Sequence, residues 1–260
     1  MENSHYRLIA NILRAAKRSR IVSEVVTDYF KAPAAEQRQA RYLDEEQARD
    51  FLFCLMNEPD IRIKTALIIL LTTGMRRGEL CGLEWADVDF DNNVIHIRRQ
   101  SIKLVGEPTK DTPTKTKSSV RDIIVSPFVM GFLKEYHKWW NGAKSDCGDL
   151  WIDTDKLFTG RTGGAIHPTT FGTWKTKFIE KNNLDYNIHI HGLRHTFISL
   201  QIAAGVDIRT LQARTGHSRA STLLDVYTHV MQSRQEAAAE AMDAVLLKLP
   251  TADTPPPMIT

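Results

Sequence analysis

Cysteine is scarce: Cys54, Cys81 and Cys147 stand far apart and form no CxxC pair. That argues against a disulfide framework and against a cysteine-built zinc site, and leaves three reduced thiols, buried or incidental. Long apolar runs are also missing. The longest, Ala66 to Leu71, falls far short of the roughly 20 residues a membrane span needs, and Met1 to Ala10 lacks the basic start and apolar run of a secretory signal. The expectation is a cytoplasmic protein with no membrane partner. A strong excess of one charge is absent as well. The net charge is +3, from 34 Lys and Arg against 31 Asp and Glu, which alone indicates no nucleic-acid partner. No internal repeat is visible, which argues against a solenoid.

What is present is enough apolar material for a sizeable core: 42% of 260 residues, a length that suits one large domain with a small appendage. The positive residues are unevenly placed. Arg14, Lys17, Arg18 and Arg20 cluster near the start, and Lys103, Lys110, Lys115, Lys117 and Arg121 crowd one later stretch. Such clusters are ordinarily solvated surface, so they lend only mild support to phosphate binding.

Tyr6, Ile9, Leu13 and Ala16 recur at helical spacing, with a basic opposite face. One helix cannot enclose its own stripe, so it packs on the main domain or is the remnant of a domain outside this chain. Residues 32–41, with Pro33, read as a linker. Asp44 is an N-cap for a helix with Ala48, Phe51, Leu52 and Leu55 on its apolar face. A second helix is expected from Asp60 to Thr72, ended by Gly74, and a short one from Arg76 to Leu83. Alternation then sets in through Val94, Ile95, Ile97 and Ile102, and returns at Val120, Ile123 and Val125 after a Thr- and Lys-rich interval. That predicts a small antiparallel sheet with a long tip. Helices are expected at Phe128–Trp140 and Pro168–Asn182, with a loop at Gly142–Asp149. A helix from His191 to Ala204 is capped by Gly205, and short helices at Val206–Thr215 and Ala220–His229 flank Gly216. A last helix, Arg234 to Leu249, carries an apolar stripe of Ala238, Met242, Val245, Leu246 and Leu249. Residues 250–260, with three successive prolines, are expected to be disordered.

Four separated segments hold the chemistry. Thr73 to Leu80 sets Arg76 and Glu79 three apart on one helical face, by itself an ordinary surface ion pair. His191 to Thr196 sets His191 and Arg194 likewise. His191 and His195, at i and i+4, match metal-ligand spacing, but no Glu lies between them and a cation there would confront Arg194, so no metal is expected. His217 sits at a turn, and Tyr227 follows ten residues later in an apolar helix, where a lone Tyr is usually core packing.

Taken together, the segments around Arg76, His191–Arg194 and His217–Tyr227 resemble, in the same order, the boxes TGxRxxEL, HxLRHT and GHxxxxT followed shortly by the Tyr of the tyrosine recombinase (phage integrase) family, as in integrases of phages and conjugative transposons. The resemblance covers residues 40 to 235. It implies an α+β, mainly helical catalytic domain with a small antiparallel sheet at 42–233. It makes residues 1–41 the last helix and linker of a core-DNA-binding domain, and the chain a fragment of a longer protein. It also makes 234–249 a C-terminal helix that is exchanged between protomers or folds back on its own domain.

The catalytic residues it implies are Arg76, Lys115, His191, Arg194, His217 and Tyr227, supported by Glu79, which would orient Arg76. Lys117 is an alternative to Lys115 as general acid. Physical chemistry makes the set intelligible. Two guanidiniums meet charge on the non-bridging oxygens of an attacked phosphodiester, His217 donates to the same oxygens, and His191 positions or accepts the proton of a phenol with pKa near about 10. His195 and His229 are read as packing or supporting residues. The reaction implied is cleavage and rejoining of DNA through a 3′-phosphotyrosine, with neither metal nor other cofactor, for integration and excision of a mobile element. The implied partners are double-stranded DNA, three further copies in a homo-tetramer on paired sites, and an excisionase or host DNA-bending protein. The place implied is the nucleoid of a bacterial cytoplasm. The rivals are a type IB topoisomerase, disfavoured by His191 in its HxLRHT setting, and a catalytically dead DNA-binding protein, disfavoured by the intact set.

Overall fold

The computed structural model describes residues 2–30, 42–103, 106–107, 109–113, 119–186, 188–217, 220, 223–224, 226, 228 and 242. Lys115, Lys117, Tyr227 and His229 lie outside the described residues, as do the expected tail and all of the expected last helix but Met242, which is helical and exposed. The chain divides into two compact units, residues 1–40 and 41–260.

The first unit is one helix, α1 (Glu2–Arg18), and a 3-10 turn at Val26–Tyr29. Arg14 pairs with Asp28 at 2.9 Å, and the Tyr6 hydroxyl reaches the Phe30 carbonyl at 2.8 Å. Ala10 and Val25 are buried, whereas Ile9 and Ile12 are exposed.

The second unit is built around α3 (Ile61–Thr73), which packs against α2 (Glu45–Met56), α5 (Pro127–Cys147), α6 (Thr170–Lys181) and α7 (Ile190–Ala203). Thr65 to Leu71 is buried without a break. A helix apolar on every side has to sit in the middle of a helical layer, and this one does. Asp60 caps it by accepting from the Arg62 amide at 3.0 Å, and Asp44 caps α2 in a reciprocal box with Gln47. Gly74 closes α3 in the left-handed region, φ 62. A side chain there would be strained twice over, because a Cβ would stand 2.3 Å from Phe197 Cδ1 of α7.

The β-structure is two small antiparallel sheets rather than one with a long tip. Strands β1 (Val88–Asp89), β2 (Val94–Ile97) and β5 (Arg121–Ile124) form a sheet in the order β1-β2-β5, with Ile97 opposite Arg121. The other pairs β3 (Arg99–Ile102) with β4 (Lys110–Pro113). The Lys-rich interval read as tip therefore supplies a strand. Its Asp111 accepts from Ser101 Oγ at 2.5 Å and from the buried Lys156 ammonium, which also bonds Glu84 at 3.0 Å. Strand β4 is held by an ion pair to a buried lysine some 45 residues away in the chain, a cause that alternation cannot reveal.

A second correction concerns α5, which continues to Cys147 through the stretch expected to be a loop from Gly142. Nothing lies near Gly142, so it costs the helix only backbone entropy, and the turn ends at Gly148, φ 53. The short helices α4 (Arg77–Gly82) and α8 (Ile208–Thr215) complete the frame, with α4 lying on β3 and α8 against β5. Gly82 makes the first approach close, since a Cβ there would meet the Arg99 carbonyl at 3.1 Å. Among the described residues no helix is long and apolar enough to cross a membrane.

Candidate active site

Three short structural devices put the polar side chains in one place. At the start of α4, Arg76 is the N-cap residue and Glu79 the third helical position. The buried Glu79 carboxylate accepts from the Arg76 amide and from its Nη1, both at 2.8 Å. It also accepts from both terminal nitrogens of Arg121 on β5, at 3.1 and 2.8 Å. Burial pushes the Glu79 carboxyl upward, but the Arg121 guanidinium and then Arg76 more than offset it, so its pKa lies below the ordinary 4.5.

On α7, Arg194 is 2% exposed. Its Nη1 donates to Gly74 O at 2.7 Å and its Nη2 to Thr215 O at 2.8 Å, which ties the ends of α3 and α8 to α7. Desolvation first, and Arg76 second, lower the Arg194 pKa to about 9, which leaves it charged at neutral pH. Its Nε is buried with no partner among the described residues. Gly216, φ 67, then ends α8 in the left-handed region and turns His217 back towards Arg194, while Gly216 O accepts from Arg76 Nη2 at 2.9 Å.

His217 is half-buried, with Nε2 2.9 Å from Arg194 Nη2 and Nδ1 2.8 Å from Thr215 Oγ1. Arginine only donates, so Nε2 accepts there, and Nδ1 carries the proton and donates to Thr215, whose hydroxyl donates to Leu211 O at 2.6 Å. Desolvation, then Arg194 and Arg76, lower the His217 pKa to about 3, in keeping with a neutral ring. His191 lies edge-on to His195, ring centres 4.9 Å apart. Although His191 is open to solvent, partial desolvation and then the charges of His195, Arg194 and Arg76 lower its pKa to about 4. Both causes act in one direction, towards a neutral imidazole at pH 7.

Arg76, Glu79, His191, Arg194 and His217 are thus brought together from α4, α7 and the end of α8. The chain beyond His217 is anchored nearby: Leu223 and Val226 are buried with Phe197, Ile198, Ile202 and Leu211, and Thr228 donates to Leu224 O at 2.8 Å. Tyr227, Lys115 and Lys117 lie outside the described residues. Arg121 and Thr215 are two further participants. The signal for Arg121 was the alternation of β5, which puts it on the inward face with Ile123, where a buried guanidinium demands a carboxylate. No group of three or more His, Cys, Asp or Glu suited to a metal occurs among the described residues. The Cys81 thiol is pushed up to about 11 by burial and is no nucleophile at neutral pH.

Comparison with known proteins bears on the family and the fold. The model of the phage integrase family matches residues 41–234. A tyrosine recombinase XerC-like protein of Caldanaerobacter subterraneus subsp. tengcongensis is 26% identical over 197 residues, 72% of this chain and 50% of that protein. The ICEBs1 integrase of Bacillus subtilis is 24% identical over 239 residues, 92% of this chain and 64% of that protein. The chain therefore spans between half and two thirds of the length of these relatives. Among solved structures, the Tn1549 transposon integrase in complex with a circular intermediate DNA superimposes with a TM-score of 0.73 at 23% identity, over 91% of this chain and 78% of that one. The fold is that of the tyrosine recombinase catalytic domain.

Proposed function

The chain belongs to the phage integrase family, and from that premise we propose that it is the catalytic part of a site-specific DNA recombinase acting through Tyr227. The observation that carries the reading is the convergence of Arg76, Arg194 and His217, from three separate sequence segments, on the turn at Thr215–Gly216, with His191 on the helix of Arg194 and close enough to His217 to help lower its pKa.

The chemistry follows from their charge states. A scissile phosphodiester between Arg76 and Arg194 would receive charged donors on its non-bridging oxygens, where negative charge grows during in-line attack. His217, in the tautomer that carries its ring proton on Nε2 instead of Nδ1, would add a third donor. His191, neutral at pH 7, takes the phenolic proton as Tyr227 Oη bonds to phosphorus. The bond from phosphorus to the 5′ oxygen breaks, and that oxygen takes a proton from Lys115, or from Lys117 as the alternative. The products are a 3′-phosphotyrosine and a free 5′-hydroxyl. Attack by the hydroxyl of another strand reverses each step, so the phosphodiester's energy is retained and neither metal nor nucleotide cofactor enters the scheme.

Double-stranded DNA is the partner in this reading, and the bacterial nucleoid the place of action. Assembly of four copies on paired sites, with the helix at 234–249 exchanged between neighbours, belongs to the same proposal, as does recruitment of an excisionase or a host DNA-bending protein. The test uses duplexes cut from DNA flanking the coding sequence, footprinted with the protein and then nicked beside the protected centre. The escaping fragment should leave the protein joined to the 3′ end and a 5′-hydroxyl that polynucleotide kinase labels directly. A joined 5′ end, or no adduct on any footprinted duplex, would overturn the proposal.

A further inference from the structure

Three consecutive carbonyls at the end of α8 each accept from a different arginine. Arg214 O is 2.7 Å from Arg121 Nε, Thr215 O 2.8 Å from Arg194 Nη2, and Gly216 O 2.9 Å from Arg76 Nη2. The last carbonyls of a helix have no partner within it and form the negative end of its dipole, so guanidiniums are well placed there. Two of the three belong to the proposed phosphate site. The third does not, for the Arg121 side chain is only 6% exposed and its three nitrogens all donate within the protein.

Where that fork points decides its role. Besides Arg214 O, it holds both oxygens of Glu79, the carboxylate that also grips Arg76. Its Nη1 donates in addition to Ser119 O at 3.1 Å. Ser119 stands two residues past Lys117 and four past Lys115. One planar, permanently charged group therefore joins the partner of Arg76, the turn that carries His217, and the first described backbone after the lysine-bearing stretch. Its strand position reinforces this, since Arg121 lies opposite Ile97 in the β2–β5 pair, on the inward face with Ile123.

We propose that Arg121 is a positioning residue that sets the lysine-bearing stretch in register with the Arg76–His217 site. The role rests on the function proposed above, in which a lysine of that stretch protonates the leaving 5′ oxygen. It requires the fork as well as the charge: a lysine at 121 keeps an ammonium for Glu79 but cannot hold Glu79, Ser119 O and Arg214 O together.

The test is single-turnover cleavage by the full chain of two nicked duplexes from the footprinted DNA. One carries the ordinary scissile phosphate, the other sulfur at the bridging 5′ position, where the leaving thiolate needs no proton. R121K is compared with wild type, K115A and K117A, and urea unfolding monitors the fold. R121K should cleave the ordinary duplex at least about tenfold more slowly, equivalent to about 1.4 kcal/mol in the barrier, yet the sulfur duplex within about threefold of wild type, in step with whichever lysine variant shows the same rescue. E79D, which leaves the Ser119 and Arg214 contacts of Arg121 in place, should slow both substrates alike. Equal slowing of both duplexes by R121K, no slowing, or the same rescue in E79D would overturn the positioning role. Wild type inert on both duplexes would instead overturn the functional reading, and this role with it.

Discussion

Glu79→Gln removes one oxygen's charge from the most enclosed ion pair of the site, and its cost can be worked from the contacts. Glu79 is 1% exposed and accepts four hydrogen bonds, two from Arg76 and two from Arg121. Glutamine has one acceptor oxygen, and its NH2 would face a guanidinium donor. At the Arg121 end, where the arginine side chain is 6% exposed, the variant leaves a buried charge uncompensated, a change that costs roughly 3–5 kcal/mol. At the Arg76 end, 34% exposed, water takes over part of the lost contact and the cost is about 0–1 kcal/mol. The sum, about 3–6 kcal/mol, is a large share of the roughly 5–15 kcal/mol that holds a domain together. Equilibrium unfolding in urea should show it as a midpoint lowered by about 1–3 M for a slope of about 2–3 kcal/mol per M. A cycle of E79Q, R121Q and the double variant should show coupling of at least about 1.5 kcal/mol. A loss below about 1 kcal/mol, or additive single variants, would refute the claim that this pair organises the site.

Three more outcomes follow from the same contacts. Gly74→Ala should destabilise by about 2–4 kcal/mol, from the left-handed penalty plus the clash of a Cβ 2.3 Å from Phe197 Cδ1, and a urea shift under about 0.5 kcal/mol would contradict it. His191 and His217 have folded pKa values of about 4 and 3, below the ordinary 6.5, so the unfolded chain binds more protons between those limits. Thermal stability should be at its full value above pH 6.5 and fall as the pH drops towards 4, with Glu79 adding to the loss below about 4.5, and a midpoint unchanged between pH 7 and 5 would be the wrong result. Deleting residues 234–260 should leave DNA binding by mobility shift but abolish the slower paired-site complex in a native gel, and normal pairing without that segment would rule out helix exchange.

Much of the helical frame was legible because its signals are local. Asp44 and Asp60 mark the starts of α2 and α3, Gly74 and Gly216 mark left-handed ends, and the unbroken apolar run of α3 announces a central helix. The union of Arg76, His191, Arg194 and His217 was legible only through the family's spaced boxes, since each pair alone reads as surface. Local signals failed where partners are distant in sequence. Strand β4 depends on Lys156 gripping Asp111, and Arg121 looked like one more surface cation until Glu79, 42 residues away, turned out to be buried against it. The continuation of α5 past Gly142 was hidden for the opposite reason, because an exposed glycine with no close neighbour is tolerated and says little.

The central claim is that Tyr227 is the group that becomes joined to DNA. Its most direct test is to trap the adduct on the nicked duplex, digest protein and DNA, and map the nucleotide-bearing peptide by mass spectrometry, with Tyr227→Phe run in parallel. The adduct should map to Tyr227, and the variant should shift the duplex as wild type does while forming no covalent product. An adduct on another residue, or undiminished covalent complex in Tyr227→Phe, would contradict the account.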